Sequence, residues 1–462
     1  MPLTVEQQKV AQRVHGLSEL MCRPPYLTGG RGQIKLRALL EYLQKLSPAP
    51  VGSNVAPPAA LAVGEFQASR AKFLKRPLHF DPTPWLSVFS AATYIEPDLL
   101  LPPDGSPATQ WESSPPQQRG SEEELLSFVR EWDKFGKLHL ARPTEVPPSE
   151  RHQLLPVPKD ESVDRIVHDR RPRNAKETPL AGRSKVLCSG HSFVDFQLGP
   201  PGPGADQLRV TSDDLEDYYP SFDATVARAR TNALAREFGA DCFASSRALR
   251  KRPELKGQKV VPCMLGLVPG DLNAVDWAQE AHENLLASRG AYAPHTRILN
   301  GAPFPRGPHA EALVLDDHVA LSRQPASSRR VPAAVATSFA RSSEAYQEVG
   351  LGQHPSKSKR GVLHSLTLGQ EILGSAGWTG AERSRRASLA QLSFIAASTG
   401  VVTGAFLRRL LSGWIHCLLA RRVLLCLIGD AFRALPGLEN NSRVFLLTPK
   451  APRFAAKFAC WR

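Results

Sequence analysis

Cysteine is scarce and unpatterned in this chain of 462 residues. Seven occur, at positions 22, 188, 242, 263, 417, 426 and 460, with neither a CxxC pair nor the His/Cys spacing of a zinc finger. That argues against a disulfide scaffold and a structural zinc site, and it fits a reducing, intracellular compartment, cytoplasmic or nuclear. The opening Met1-Pro2-Leu3-Thr4-Val5-Glu6-Gln7 lacks the charged-then-apolar order of a secretory signal. Long uncharged runs are also missing. The most apolar window, Leu410 to Ile428, contains His416, Arg421 and Arg422, so a buried helix is expected there and no membrane partner. Carboxylates are the scarcer charge: 44 Asp+Glu face 58 Lys+Arg, a formal +14. Such an excess suits a polyanion, because basic side chains displace condensed counterions from a phosphate backbone. It is equally compatible with a generally basic soluble protein.

At this length the chain can hold two or three domains. Residues 1 to about 47 alternate apolar and charged positions at helical spacing, as in Ile34 to Leu43, and read as helices of an accessory region within residues 1–100. Pro, Ser, Gly and Gln dominate from Ser47 to Ala60 and from Pro102 to Gly120, the composition of linkers. Residues 101–150 then combine linker with an acidic-started amphipathic helix, Glu122 to Leu140, and a proline-rich joint from Pro143 to Pro158. The main domain is placed at 151–379. From Gly380 to Leu435 the pattern is helical, with breaks expected near Gly400-Val401 and at Gly413. There is no internal repeat.

Within the main domain, the stretch Ala312 to Leu321 sets two short apolar, β-favouring runs around Asp316-Asp317, which predicts a hairpin with both carboxylates at its tip. Adjacent like charges are costly without a cation beside them, and an all-oxygen site selects magnesium or manganese. Alone, the pair reads better as a solvated turn than as a metal site, and Asp213-Asp214 is a second such dipeptide. Lys159 to Asn174 reads as a charged turn, a short strand and a basic segment. Leu208 to Thr211 reads as a strand running into Ser212-Asp213-Asp214-Leu215, followed by a helix from Thr225 to Phe238. Gly270 opens a helix reaching about Ser288. Arg323 to Arg341 reads as an insertion, with a short helix from Ser342 to Val349 after it, and Leu366 to Gly374 as a β turn-back.

In this order the stretches resemble the reverse transcriptase domain of long-terminal-repeat retrotransposons, the gypsy type in particular. The family's fingers motif R-x-V-x-D-x-R-x-x-N is matched by Arg165, Val167, Asp169, Arg171 and Asn174. Its first palm motif is matched by Asp214, Leu215 and Tyr219, its second by Gly270, Asn273, Ala274 and Gln279, and its Y-x-D-D hairpin by Asp316 and Asp317. Lys359 and Leu368-Gly369 fit the lysine and L-G turn that follow. The resemblance covers about residues 154 to 380. It departs at Val314, where the family has Tyr, and at Pro269 and Asp271, where an aromatic or Gln and an apolar residue are usual. Nothing after Leu435 resembles an RNase H or integrase domain, and no aspartic protease motif precedes the fingers, so other retroelement domains are expected as partners on a longer polyprotein.

The resemblance implies an α+β polymerase with palm and fingers, an antiparallel palm sheet packed on helices, and a helical thumb-like region at 380–462. It implies RNA-directed DNA synthesis on a primed RNA or DNA template from deoxynucleoside triphosphates, with magnesium or manganese held by Asp214, Asp316, Asp317 and the Leu215 carbonyl. Lys159, Arg165 and Lys359 would hold phosphates, Tyr219 would lie under the sugar, and Gly270 and Gln279 would shape the nascent pair. A decayed retroelement protein that only binds nucleic acid is the competing reading; an RNA-directed RNA polymerase is a third, opposed by Tyr219.

Overall fold

The computed structural model describes residues 65–102 and 120–429, apart from 75, 160, 161, 200–204, 329 and 400, together with 432 and 444–446. The expected N-terminal helices, the linker at 47–60 and most of the one at 102–120 lie outside the described residues. The chain forms two compact units, one spanning 62–363 and a second holding the described residues from His364 onward.

In the first unit, a segment that sequence patterning left unassigned contains α1 (Val88–Ile95), capped by the Ser87 hydroxyl. Helix α2 (Glu122–Lys134) starts at Ser121, whose hydroxyl accepts the Glu124 N–H, with three glutamates in the positive first turn. It stops short of Leu140 because Gly136 turns left-handed at φ 73°, releasing the chain into β1 (Leu138–Ala141). The proline-rich joint is not linker throughout. Its end is β2 (Gln153–Pro158), antiparallel to β3 (Asp164–Asp169), and prolines are tolerated there because a two-stranded hairpin is all edge. At the outer end of that hairpin Asp164 is pinned from outside: the Arg70 guanidinium meets its carboxylate at 2.9 and 3.0 Å, and the Lys72 N–H its carbonyl at 3.2 Å.

Strand β4 (Asp206–Glu216) is longer than expected, and α3 (Val226–Thr231) shorter. Thr225 caps α3, but Asn232 ends it by sending its side-chain amide to the Gly266 carbonyl at 3.0 Å. Phe238–Gly239 becomes β5, paired with β6 (Lys259–Met264), which also pairs with β1. Phe128, Leu138, Leu140, Phe238 and Val260 close the core around this sheet. Next come α4 (Ala274–Ser288), the hairpin β7 (His309–Val314) and β8 (Asp317–Pro325), α5 (Ala333–Glu348), β9 (Gly352–Gln353) and β10 (Lys359–Val362). The expected Ser/Ala/Arg insertion begins as the end of β8 and finishes as the first half of α5, which buries Val335 and Phe339 against Ala320.

Four antiparallel strands run β10-β4-β8-β7, with β9 pairing the end of β4. Trp277, Ala278, Ala281 and Leu285 of α4 pack with Leu215, Leu313 and Tyr346 in one buried cluster, and each large apolar side chain removed from water contributes about 1.5–3 kcal/mol. Antiparallel sheets packed on helices make the fold α+β.

The second unit opens on an antiparallel meander, β11 (His364–Thr367), β12 (Gln370–Leu373) and β13 (Trp378–Ala381). Its first turn uses left-handed Leu368 and Gly369. Two helices follow, α6 (Arg383–Thr399) and α7 (Gly404–Leu418), separated by Val401–Thr403, whose β-branched residues form a strand paired with Val444–Leu446. Gly413 does not break α7. A Cβ there would meet Leu389 of α6 at 2.6 Å, so the glycine permits close helix packing instead. Among the described residues, Gly404–Ile428 is the stretch long and apolar enough to cross a membrane, with mean hydropathy 1.6. The expected burial holds for Leu410, Leu411, Trp414, Leu418 and Ile428, whereas the chain kinks at Arg421 and leaves Val423 77% exposed.

Candidate active site

Register brings distant carboxylates together. Along β4 and β8, Asp214 stands opposite Asp317 and Asp213 opposite His318. The Leu215 N–H donates to the Asp316 carbonyl at 2.9 Å, so the end of β4 lies against the β7–β8 turn. The last pair of that hairpin is Val314–Asp317, which makes Leu315–Asp316 the two-residue turn. The tip is thus Leu315–Asp316, not the Asp pair, and Asp317 opens β8. Leu315 carries the left-handed φ of 54° that such a turn needs.

Strand alternation separates the other pair. Asp213 is buried and held by the Arg360 guanidinium at 2.8 and 3.0 Å and by the Gln353 amide at 3.0 Å. Asp214 faces the opposite way, and both its oxygens accept from Lys357 Nζ at 2.9 Å. Lys357 was not singled out by motif spacing; its one signal is the short run Lys357-Ser358-Lys359.

The acidic cluster is electrostatically tense. Burial pushes the Asp317 carboxyl up from 3.8 to about 7, with the charges of Asp316 and Asp214 adding to the rise and those of Lys357 and Lys359 opposing it. Burial raises Asp316 as well, Asp214 adds to that, and Lys357 and Arg165 counter it. Lys359 is lowered by burial, partly offset by Asp317. Burial and the Asp316 charge raise the Tyr219 phenol.

The remaining candidate residues divide. Exposed Arg165 lies on β3 and its charge reaches Asp316. Lys159 is on the exposed turn of the same hairpin, its N–H donating to the Val163 carbonyl at 2.9 Å. Half-buried Tyr219 follows left-handed Asp217 on the turn leading from β4. Gln279 lies behind the hairpin, not beside open space. It is buried, its Nε2 donating to the Leu313 carbonyl and its Oε1 accepting the Leu315 N–H, both at 2.8 Å. Gly270 packs on β3: at φ 112°, a Cβ would fall 2.0 Å from the His168 carbonyl oxygen. A backbone clasp surrounds it, with His168 N–H on the Pro269 carbonyl at 2.7 Å and the Asn174 side chain donating to the Gly270 carbonyl at 2.8 Å.

Asp214, Asp316 and Asp317 offer only oxygen donors, and the charge of Asp214 bears on both of the others, which is the donor chemistry that suits a hard divalent cation. In the conformation observed the Lys357 ammonium supplies the positive charge on Asp214. Among the described residues, no three His, Cys, Asp or Glu side chains are gathered into a metal-holding group. The all-oxygen donor set fits magnesium or manganese in its chemistry.

No protein-family model matches the chain, and no curated protein matches it. Among solved structures, it is similar to the foamy viral protease-reverse transcriptase in complex with dsDNA, at 12% identity and a TM-score of 0.50, over 99% of this chain and 72% of that one. Two more structures of the foamy viral protein, dRH with ds DNA and the protease-reverse transcriptase with RNA/DNA hybrid, align at TM-score 0.48 with 12% and 13% identity. This chain covers 61% and 47% of their lengths. At such identity the likeness concerns architecture alone, and the chain has a reverse-transcriptase-like fold.

Proposed function

We propose that this chain is an RNA-directed DNA polymerase domain of a retroelement, of the gypsy type by its motifs, extending a primer on an RNA or DNA template inside the cell. The observation that carries the reading is the meeting of Asp214, Asp316 and Asp317 at the end of β4 with basic residues of β3 and β10 around them. Asp214, Asp316 and Asp317, with the Leu215 carbonyl, would hold magnesium or manganese, which would supply Lewis acidity for nucleotidyl transfer. Arg165 and Lys159 bind the triphosphate of a deoxynucleotide from the β2–β3 hairpin, and Lys359 holds a phosphate from β10. Tyr219 lies under the sugar and excludes a ribose 2′-hydroxyl. Gly270 acts through backbone and Gln279 through the hairpin it supports. Arginines of the second unit grip duplex backbone without reading sequence.

The test is primer extension on an RNA template by the purified full chain with magnesium, set beside Asp316→Asn. Extension is expected from the parent and none from the variant, with duplex binding nearly equal. Duplex binding without extension by the parent would leave nucleic-acid binding as the function; extension by Asp316→Asn at the parental rate would remove the catalytic assignment.

A further inference from the structure

The turn that carries Asp316 is strained, and a side chain outside every motif holds it. Leu315 takes φ 54° without being glycine, a conformation that costs an L-residue roughly 1–2 kcal/mol and persists only where its surroundings enforce it. Two residues of α4, three apart and so on one helical face, grip this turn from beneath. Gln279 bonds the Leu315 N–H, and His282 Nδ1 lies 2.5 Å from the Leu315 carbonyl. A carbonyl oxygen only accepts, so Nδ1 carries the ring proton. The neutral ring then accepts at Nε2, where the Tyr346 hydroxyl of α5 donates at 2.8 Å. His282 is 0% and Tyr346 1% exposed. Burial lowers the imidazole to about 3, which keeps it neutral and its tautomer unchanged in ordinary buffers.

We infer that His282, locked by Tyr346 as its Nδ1–H tautomer, is a positioning residue that holds the Leu315–Asp316 turn and so sets the Asp316 carboxylate beside Asp214. The inference rests on the proposed role of Asp316 as a metal ligand, and it deepens that reading. It assigns α5 a part in the site as well, through one hydroxyl.

The experiment compares full-length parent, His282→Leu, His282→Asn and Phe128→Leu. Asn restores a donor near the Nδ1 position; Phe128 lies in the separate core around β1 and β6 and serves as a control of matched instability. Manganese(II) affinity is read by calorimetry and the Leu315 amide by hydrogen exchange. His282→Leu is expected to weaken manganese binding and speed Leu315 exchange by about tenfold each, the factor one ordinary hydrogen bond carries. His282→Asn recovers most of both, and Phe128→Leu melts earlier with both unchanged. Parental affinity and exchange in His282→Leu, or equal changes in Phe128→Leu, would overturn the assignment. If the parent binds no manganese, the metal site falls, and exchange alone decides the positioning role: acceleration confined to His282→Leu supports it, and none overturns it. Should His282→Leu not fold, Tyr346→Phe, which removes only the hydroxyl that fixes the tautomer, takes its place with the same readouts and the same opposing outcomes.

Discussion

Asp317→Asn should make the metal-free protein more stable, and more so as pH rises. The Asp317 carboxyl is raised from 3.8 to about 7 in the folded chain, chiefly by burial and then by Asp316 and Asp214. A raised carboxyl means that the folded state disfavours the charge. The penalty is absent below pH 3.8, where both states are protonated, grows as pH climbs toward 7, and is complete above it. A shift of about 3 units corresponds to about 4 kcal/mol, which solvent around a half-buried side chain reduces to about 2 kcal/mol. Asn keeps the shape and removes the charge. At about 2–4 °C per kcal/mol for a domain of this size, the variant should melt about 4–8 °C above the parent at pH 8. At about pH 5 the advantage should be less than half as large, because the folded parent is then protonated. Thermal melts of the full chain in a chelator at both pH values decide it. Equal melting at pH 8, a less stable variant, or the same gap at both pH values would refute the reasoning.

Asp271→Asn should cost about 3–5 kcal/mol in urea denaturation, because Asp271 sits buried against Arg170 and 3.7 Å from Arg228, and its loss takes the paired carboxylate from buried Arg228 and leaves Arg170 with Glu177 at 3.4 Å alone; a loss under about 1 kcal/mol would contradict this. Tyr219→Ala should admit ribonucleotides in single-nucleotide incorporation, since the deleted ring vacates the space a 2′-hydroxyl needs. A folded, active variant with the parent's sugar preference would remove the gate.

What the sequence revealed is what depends on local spacing. Asp214 and Asp316 could be placed because each ends a short apolar run, and strands and tight turns carry period-two and glycine-like signatures that survive in a single chain. The α+β class followed from the family resemblance that these spacings carry. Tertiary partners left no such trace. The helix expected over Thr225 to Phe238 failed because Asn232 found the Gly266 carbonyl across the fold. Gly413 looked like a breaker and proved a contact with Leu389. Gln279 kept its motif position, yet its amide is spent on the hairpin. His282 and Tyr346 are 64 residues apart and meet only once the sheet has brought α4 and α5 together. Asp271 stood out as a departure from the family pattern, and the two buried arginines beside it supply the reason.

The β2–β3 hairpin is anchored at both ends. Pro269, Gly270 and Asn174 clasp it at His168, while Arg70 and Lys72 tie down Asp164. A beam fixed at both supports bows but does not swing. In the proposed function Arg165, one residue from the outer anchor, would reach the carboxylates by changing its own rotamer rather than by rotation of the strand beneath it. Such an arm forgoes the gating that a moving lobe provides. In exchange, the scaffold that aims it is already in place before any ligand arrives, and little ordering remains to be done on binding.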